Sequence, residues 1–125
     1  MKIFLKAGAI SGALAVVLGA FGAHILKTLI APDMLEVYKT GIQYQFYHTF
    51  ALLVTAILMK FNPSQTLKWS GYLFIAGIIV FSGFLYLLAI TGIKVLGMIV
   101  PIGGLMFVAG WICLLVHSIK IRSLS

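Results

Sequence analysis

Four long stretches of the chain are almost wholly apolar, and most of the charged residues and helix breakers gather in the gaps between them and at the chain ends. The runs cover approximately residues 4–26, 41–61, 69–91 and 96–118. Each holds close to the roughly 20 residues that an α-helix needs to cross the hydrocarbon core of a bilayer. The gaps carry helix breakers: Pro32 and Asp33, then Asn62, Pro63 and Ser64, then Thr91 and Gly92. The first gap has structure of its own. Pro32 suits a first helical turn, and Asp33 and Glu36 favour the positive end of a helix dipole. Met34, Leu35, Val37 and Tyr38 alternate there with Asp33, Glu36 and Lys39. This predicts a short amphipathic helix at the membrane interface, either separate from the second span or continuous with it. The pattern as a whole predicts an all-α integral membrane protein with a single domain over 1–125. Its architecture is an antiparallel four-helix transmembrane bundle with that short interfacial helix between helices 1 and 2.

Composition supports this reading. Of 125 residues, 62% are apolar and only 9% charged, and the mean hydropathy is +1.17. Soluble domains carry about a quarter charged residues. A chain this poor in charge cannot cover its own surface in water, so the lipid bilayer is its expected partner. The net charge of +7 does not point to nucleic acid, because the lysines and arginines are scattered singly instead of lining one face. They bear on topology instead. Lys2, Lys6, Lys60, Lys68, Lys120 and Arg122 fall on one side of four crossings. Lys27, Lys39 and Lys94 fall on the other, with both acids. The positive-inside rule then places both termini in the cytoplasm. Trp69 and Tyr72 become inner-interface aromatics, and Tyr38, Tyr44 and Tyr86 outer ones. Lys2 and Lys6 before an apolar run resemble a signal peptide, but the run is longer than a signal core. Cys113, the only cysteine, can form no disulfide within the chain.

Candidate chemistry is sparse. Gly8, Gly12, Ala15, Gly19 and Ala23 form a small-residue stripe on helix 1. Gly77 and Gly83, and Gly97, Gly104 and Gly110, offer the same on helices 3 and 4. Such residues let helix backbones approach closely in lipid, within one molecule or between copies. On helix 2, Gly41, Gln45, His48, Leu52 and Thr55 share a face, flanked by Tyr44 and Thr49. His24 ends helix 1, Ser82 and Tyr86 lie one turn apart on helix 3, and Pro101 lies within helix 4. There Pro101 would leave the Gly97 carbonyl without its donor. Mapped onto four crossings, His24, Tyr44, Gln45, His48, Ser82, Tyr86 and Pro101 fall in the outer half. His24 and His48 are expected within roughly 10 Å of each other in depth. One shared polar pocket follows as an expectation. Two imidazoles can hold a metal or haem or relay protons, but a zinc or copper site wants three or more ligands. No metal and no cofactor is therefore assigned. The chain has no nucleophile with a base at motif spacing, no glycine loop for phosphate and no acidic pair, so no enzyme is expected.

At these residues the sequence resembles a known group. Gly19-Ala20-Phe21-Gly22-Ala23-His24, Tyr44-Gln45-Phe46-Tyr47-His48 with Ala51-Leu52-Leu53, Phe81-Ser82-Gly83, and Pro101-Ile102-Gly103-Gly104 are similar to the signatures of domain-of-unknown-function family 423. These are small multi-pass membrane proteins, also called uncharacterised protein family 0382. The likeness runs in order along nearly the whole chain. It departs at Phe84, where a small polar residue is expected, and at Val100, where a threonine is expected. Both departures make the pocket more apolar. The resemblance implies four spans in a bacterial plasma membrane and no assigned activity or catalytic residue. The function expected first is a non-enzymatic accessory, scaffold or assembly factor working with a larger membrane complex or as a homo-oligomer. The second is a small carrier or binding protein for an ion, proton or lipid-soluble ligand. The third is haem or metal binding through His24 and His48.

Overall fold

A computed structural model describes the backbone of residues 1–124 and the side chains of residues 1–121. The side chain of Arg122, counted above on the more basic side, lies outside the described residues. The described chain is helical throughout. Helix α1 (Lys2–His24) passes through a 3₁₀ turn (Leu26–Thr28) to helix α2 (Pro32–Phe61). A third rod is built from α3 (Gln65–Gly77), a π-helical turn (Ile78–Ser82) and α4 (Gly83–Thr91). A 3₁₀ segment (Lys94–Met98) then leads to α5 (Val100–Leu124). The rods Lys2–Thr28, Gln65–Thr91 and Lys94–Ile121 are long and apolar enough to cross a membrane. α2 is as long, but its middle carries more polar residues.

The ends follow local chemistry. Ala31 is extended and Pro32 opens α2, where its missing N–H would have had no acceptor anyway. Ser64 caps α3, its Oγ accepting the Leu67 N–H at 3.1 Å. Gly92 ends α4 in the left-handed conformation, φ 69°.

One open alternative is resolved here and one expectation changes. The short interfacial helix is not a separate element: residues 32–40 are the first turns of α2, which runs unbroken for 30 residues. Nothing between Pro32 and Gly41 interrupts the backbone, and Gly41 itself stays helical beneath Tyr86. Pro101 also has a different role. α5 begins at Val100, so Pro101 sits in its first turn, and Gly97 belongs to the preceding 3₁₀ segment. The proline starts the helix and does not break one.

α2 packs along α1 and along α3–α4, and α5 packs along α3. The α1–α2 pair is antiparallel: Gly8 faces Leu53, Gly12 faces Thr49, Gly19 faces Ile42 and Gly22 faces Tyr38. Several glycines lie directly under aromatic rings. Tyr38 covers Gly22, Tyr86 covers Gly41, Phe4 covers Gly71, Phe107 covers Gly77 and Phe74 covers Gly110. The main core joins Phe4, Ala51, Leu52, Ala56, Phe74 and Phe107. A smaller one joins Leu26, Tyr38 and Ala89. Tyr38 is therefore a core residue and not an outer-interface aromatic, because Gly22 leaves room for its ring.

The π-helical turn widens the third rod opposite α5, and Gly103 receives it. A Cβ on Gly103 would stand 2.4 Å from the Phe81 backbone nitrogen and 2.7 Å from its Cα. Backbone cannot yield as a side chain can. Gly83, by contrast, faces open space. Gly103→Ala is expected to destabilise the protein by about 1–3 kcal/mol, the usual cost of overpacking, while Gly83→Ala leaves stability unchanged or slightly raised. Thermal unfolding of both variants in detergent checks this. Equal melting temperatures would refute the close approach.

Candidate functional site

The interior polar residues fall into two groups, both organised by α2. In the first, Gln45 is the centre and is only 4% exposed. Its Nε2 donates to the Ser11 carbonyl at 2.9 Å, and its Oε1 accepts the Tyr86 hydroxyl at 2.5 Å. This orientation of the amide is required, because a carbonyl oxygen can only accept. Ser11 Oγ in turn shares a hydrogen bond of 2.7 Å with Thr49 Oγ1. One turn away, Ser82 Oγ donates to the Gly41 carbonyl at 2.7 Å. Tyr38 donates to the Leu18 carbonyl at 2.5 Å. The group ties α1, α2, the π-helical turn and α4 together. Gly41 makes this geometry available: without a side chain there, the Tyr86 ring lies across α2 and reaches Gln45 one turn on.

The second group centres on His48, also 4% exposed. Its Nδ1–H donates to the Tyr44 carbonyl at 2.8 Å, and its Nε2 accepts the Trp111 indole N–H at 3.0 Å. Indole can only donate, so this pair of bonds sets the neutral tautomer with the proton on Nδ1. One face of the ring stacks on Phe107 with centroids 3.5 Å apart and planes 7° from parallel. Phe74 and Trp111 close in further. Both nitrogens of His48 are thus committed within the protein, and its one basic lone pair points at Trp111.

The structure does not bring all the expected residues together. Gln45, Ser82 and Tyr86 share one network, and His48 lies beside it in another. Tyr44 contributes its carbonyl, its ring lying outside against Phe81 at 4.7 Å. Pro101 is exposed at the start of α5 and joins neither group. His24 is exposed at the end of α1. The α1–α2 register, with Gly22 facing Tyr38, puts His24 level with residues near 36. That is some twelve residues from His48, or roughly 18 Å along the helices, and not within 10 Å. The depth changes because α2 starts at Pro32 and not at Gly41. Gln45, His48 and Thr49 consequently sit near the midpoint of a helix about 45 Å long.

Several participants carried little signal in the sequence. Ser11 is the one hydroxyl in the apolar run of α1 and could have been found as such. Trp111 and Phe107 look like ordinary apolar residues of α5. Of the small residues, Gly8, Gly12 and Gly19 face α2, and a Cβ on Gly104 would stand 3.8 Å from the Phe81 ring. Among the described residues no group of three or more His, Cys, Asp or Glu side chains could hold a metal.

Comparison with known proteins agrees with a membrane protein. Residues 18–104 match the family described as Protein of unknown function (DUF423). The chain is 46% identical to the UPF0382 membrane protein SAB0533 of Staphylococcus aureus over 120 residues, which is 96% of this chain and 98% of the relative. It is likewise 46% identical to the UPF0382 membrane protein YwdK of Bacillus subtilis over 121 residues, with the same coverage of both chains. To the UPF0382 membrane protein SSP2132 of Staphylococcus saprophyticus it is 41% identical over 121 residues, 97% of this chain and 100% of the relative. No solved structure matches it. The chain belongs to the DUF423 family of uncharacterised membrane proteins.

The two networks separate a structural histidine from an incidental one. Gln45→Leu is expected to cost about 1–3 kcal/mol, because Tyr86 and Ser11 lose their partner in a buried setting. A double-mutant cycle of Gln45→Leu with Tyr86→Phe should give a coupling of about 0.5–1.5 kcal/mol. His24→Ala should leave the unfolding midpoint unchanged. Unfolding in mixed detergent–lipid micelles measures all of these, and a destabilised His24→Ala variant would contradict the placement of that residue.

Proposed function

We propose, taking membership of this family as the premise, that the protein is a non-enzymatic scaffold or assembly factor of the bacterial cell membrane. It works by presenting its outer helix faces to a larger membrane complex. The observation that carries this reading is the complete internal use of the Gln45 and His48 groups. A carrier needs polar groups left free to exchange partners with a ligand. Here the amide, the hydroxyls and the imidazole around mid-α2 hold helices to one another. The two clefts flanking α2, of about 370 and 280 Å³, are lined mainly by apolar side chains such as Ile42, Phe46, Ile75 and Ile78. Hydrocarbon or a neighbouring helix suits them better than an ion.

The same reading takes α2 as the fourth crossing, in an antiparallel four-helix transmembrane bundle. Gln45, His48, Thr49 and Thr55 face the other rods, and the helix shows Tyr47, Phe50, Val54 and Ile57 to the outside. A helix of this length spans the hydrocarbon core and reaches the headgroups at both ends. Four crossings return both termini to one side, and the bias of basic residues makes that side the cytoplasm.

Two measurements test the proposal. A photo-crosslinking residue at Phe50 or Val54, introduced in cells, should give an adduct with one defined larger membrane protein. Adducts with lipid alone would count against the scaffold. Reporter fusions that fluoresce only in the cytoplasm should be active at both ends of the chain. Activity at one end only would remove the even number of crossings.

A further inference from the structure

We infer that the end of the molecule where α2 turns into α3 carries a binding site for a phosphate group, either a phospholipid headgroup or inorganic phosphate, with His117 as its principal ligand. The turn encloses a cavity of about 340 Å³ lined by Phe61, Asn62, Pro63, Ser64, His117 and Lys120, among others. That is near the lower end of the volumes found for small-molecule sites.

His117 is 3% exposed, and its Nε2 is buried without any hydrogen-bond partner in the protein. Its other nitrogen decides the chemistry of that orphan. Nδ1 lies 2.7 Å from Ser64 Oγ, and the same Oγ already accepts the Leu67 N–H as the α3 cap. Among the described residues the Ser64 hydroxyl has no other acceptor, so we assign its single proton to Nδ1; the reverse direction would leave both that proton and Nε2 without a partner. The ring proton is then on Nε2, so the orphan is a donor. A buried donor without an acceptor costs about 1–3 kcal/mol, and an anionic oxygen is the partner that removes this cost most fully.

The surroundings favour a phosphate over a neutral acceptor. The cavity lies at the N-terminus of α3, where the amides of Gln65 and Thr66 have no acceptor within the helix and the helix dipole is positive. Lys120 Nζ donates to Thr66 Oγ1 at 3.2 Å on the same rim. Lys60 stands one residue before the turn, over the Phe61 ring at 5.8 Å. The only Asp and Glu of the chain, Asp33 and Glu36, lie at the far end of α2. From Glu36 to Phe61 is about 38 Å along the helix. No acidic side chain of this molecule can reach the site. Exposed Trp69 and Tyr72 one to two turns into α3 mark the depth of a headgroup layer.

The test uses the full chain with ¹⁵N-labelled histidine, in maltoside micelles that contain no phosphate. Three titrants are compared at equal ionic strength: short-chain phosphatidylglycerol, inorganic phosphate and chloride. The His117 Nε2 resonance is identified by its absence in His117→Gln. It should move to the position of a hydrogen-bonded donor, while the His48 resonances stay in place. Movement with phosphatidylglycerol alone assigns the site to a lipid headgroup. Movement with inorganic phosphate as well assigns it to the phosphate group itself, and movement with inorganic phosphate alone makes free phosphate the ligand. An equal response to chloride, or none to any titrant, overturns the inference. His117→Gln should weaken phosphate or lipid binding about tenfold or more, the loss expected of one hydrogen bond to a charged group. If that variant does not fold, His24→Ala removes the His24 resonances, and His117 is told from His48 by its tautomer, with the proton on Nε2 and not on Nδ1; the titration of the unaltered chain then decides.

Discussion

Aromatic rings resting on bare helix backbone set the spacing of this molecule. In lipid there is no hydrophobic gain in bringing two apolar helices together, so close packing and interhelical hydrogen bonds must hold them. Glycine removes the side chain that would keep a neighbour away, and a ring fills the space with a large contact area. The structure repeats this contact at each main seam. Tyr38 on Gly22 joins α2 to α1, and Tyr86 on Gly41 joins α4 to α2. Phe4 on Gly71 brings α1 to α3, while Phe107 on Gly77 and Phe74 on Gly110 lock α3 and α5 from both sides. Two of these rings are tyrosines, and their hydroxyls reach acceptors about one turn beyond the glycine they cover. Packing and hydrogen bonding are then one device: the glycine positions the ring, and the ring positions its hydroxyl.

This device lets α2 be polar at its centre. A helix with Gln45, His48 and Thr49 near its midpoint is expensive to leave facing hydrocarbon. α1 supplies Ser11 and two backbone carbonyls, α4 supplies Tyr86, and α5 supplies Trp111. Each rod that touches α2 contributes at least one hydrogen bond to it. The arrangement also explains why α2 is the less apolar rod while its outer face, with Phe50, Val54 and Ile57, remains suited to lipid. In a medium of low dielectric constant such bonds are strong when complete and costly when broken. The interior therefore reads as a set of mutual commitments and not as a vacant site.

Much of this was legible in the runs of apolar residues. Their lengths give the helices, the breakers give the turns, and the glycine stripe of α1 does face its neighbour. What misled was the start of α2. Charged residues at Asp33, Glu36 and Lys39 look like the end of a membrane segment, yet hydrophobicity marks where lipid begins and not where the helix begins. Counting from Gly41 instead of Pro32 shifted α2 against the end of α1 by about two and a half turns and made His24 and His48 look like neighbours. Pro101 misled in the same way, since a proline is as good a helix start as a helix break. The π-helical turn at Ile78–Ser82 has no signature in the sequence that we can name. Gly103 gives a physical reason for its tolerance but not for its origin. His117 beside Ser64 was hidden because 53 residues separate them.

The two histidines that the folded chain buries show opposite treatments of the same side chain. His48 has a donor for its lone pair, an acceptor for its proton and a ring stacked on one face, so nothing is left for an outside group. His117 is almost equally buried, yet one nitrogen has no partner. Burial alone does not explain this difference, and helix packing does not require it. Ser64 could cap α3 without any histidine, and a leucine at position 117 would fill the space without an orphan donor. An imidazole there adds a cost to the folded chain that an external acceptor would remove. The polarity at mid-α2 belongs to the architecture, whereas the α2–α3 turn keeps one buried imidazole nitrogen that no group of the folded chain satisfies.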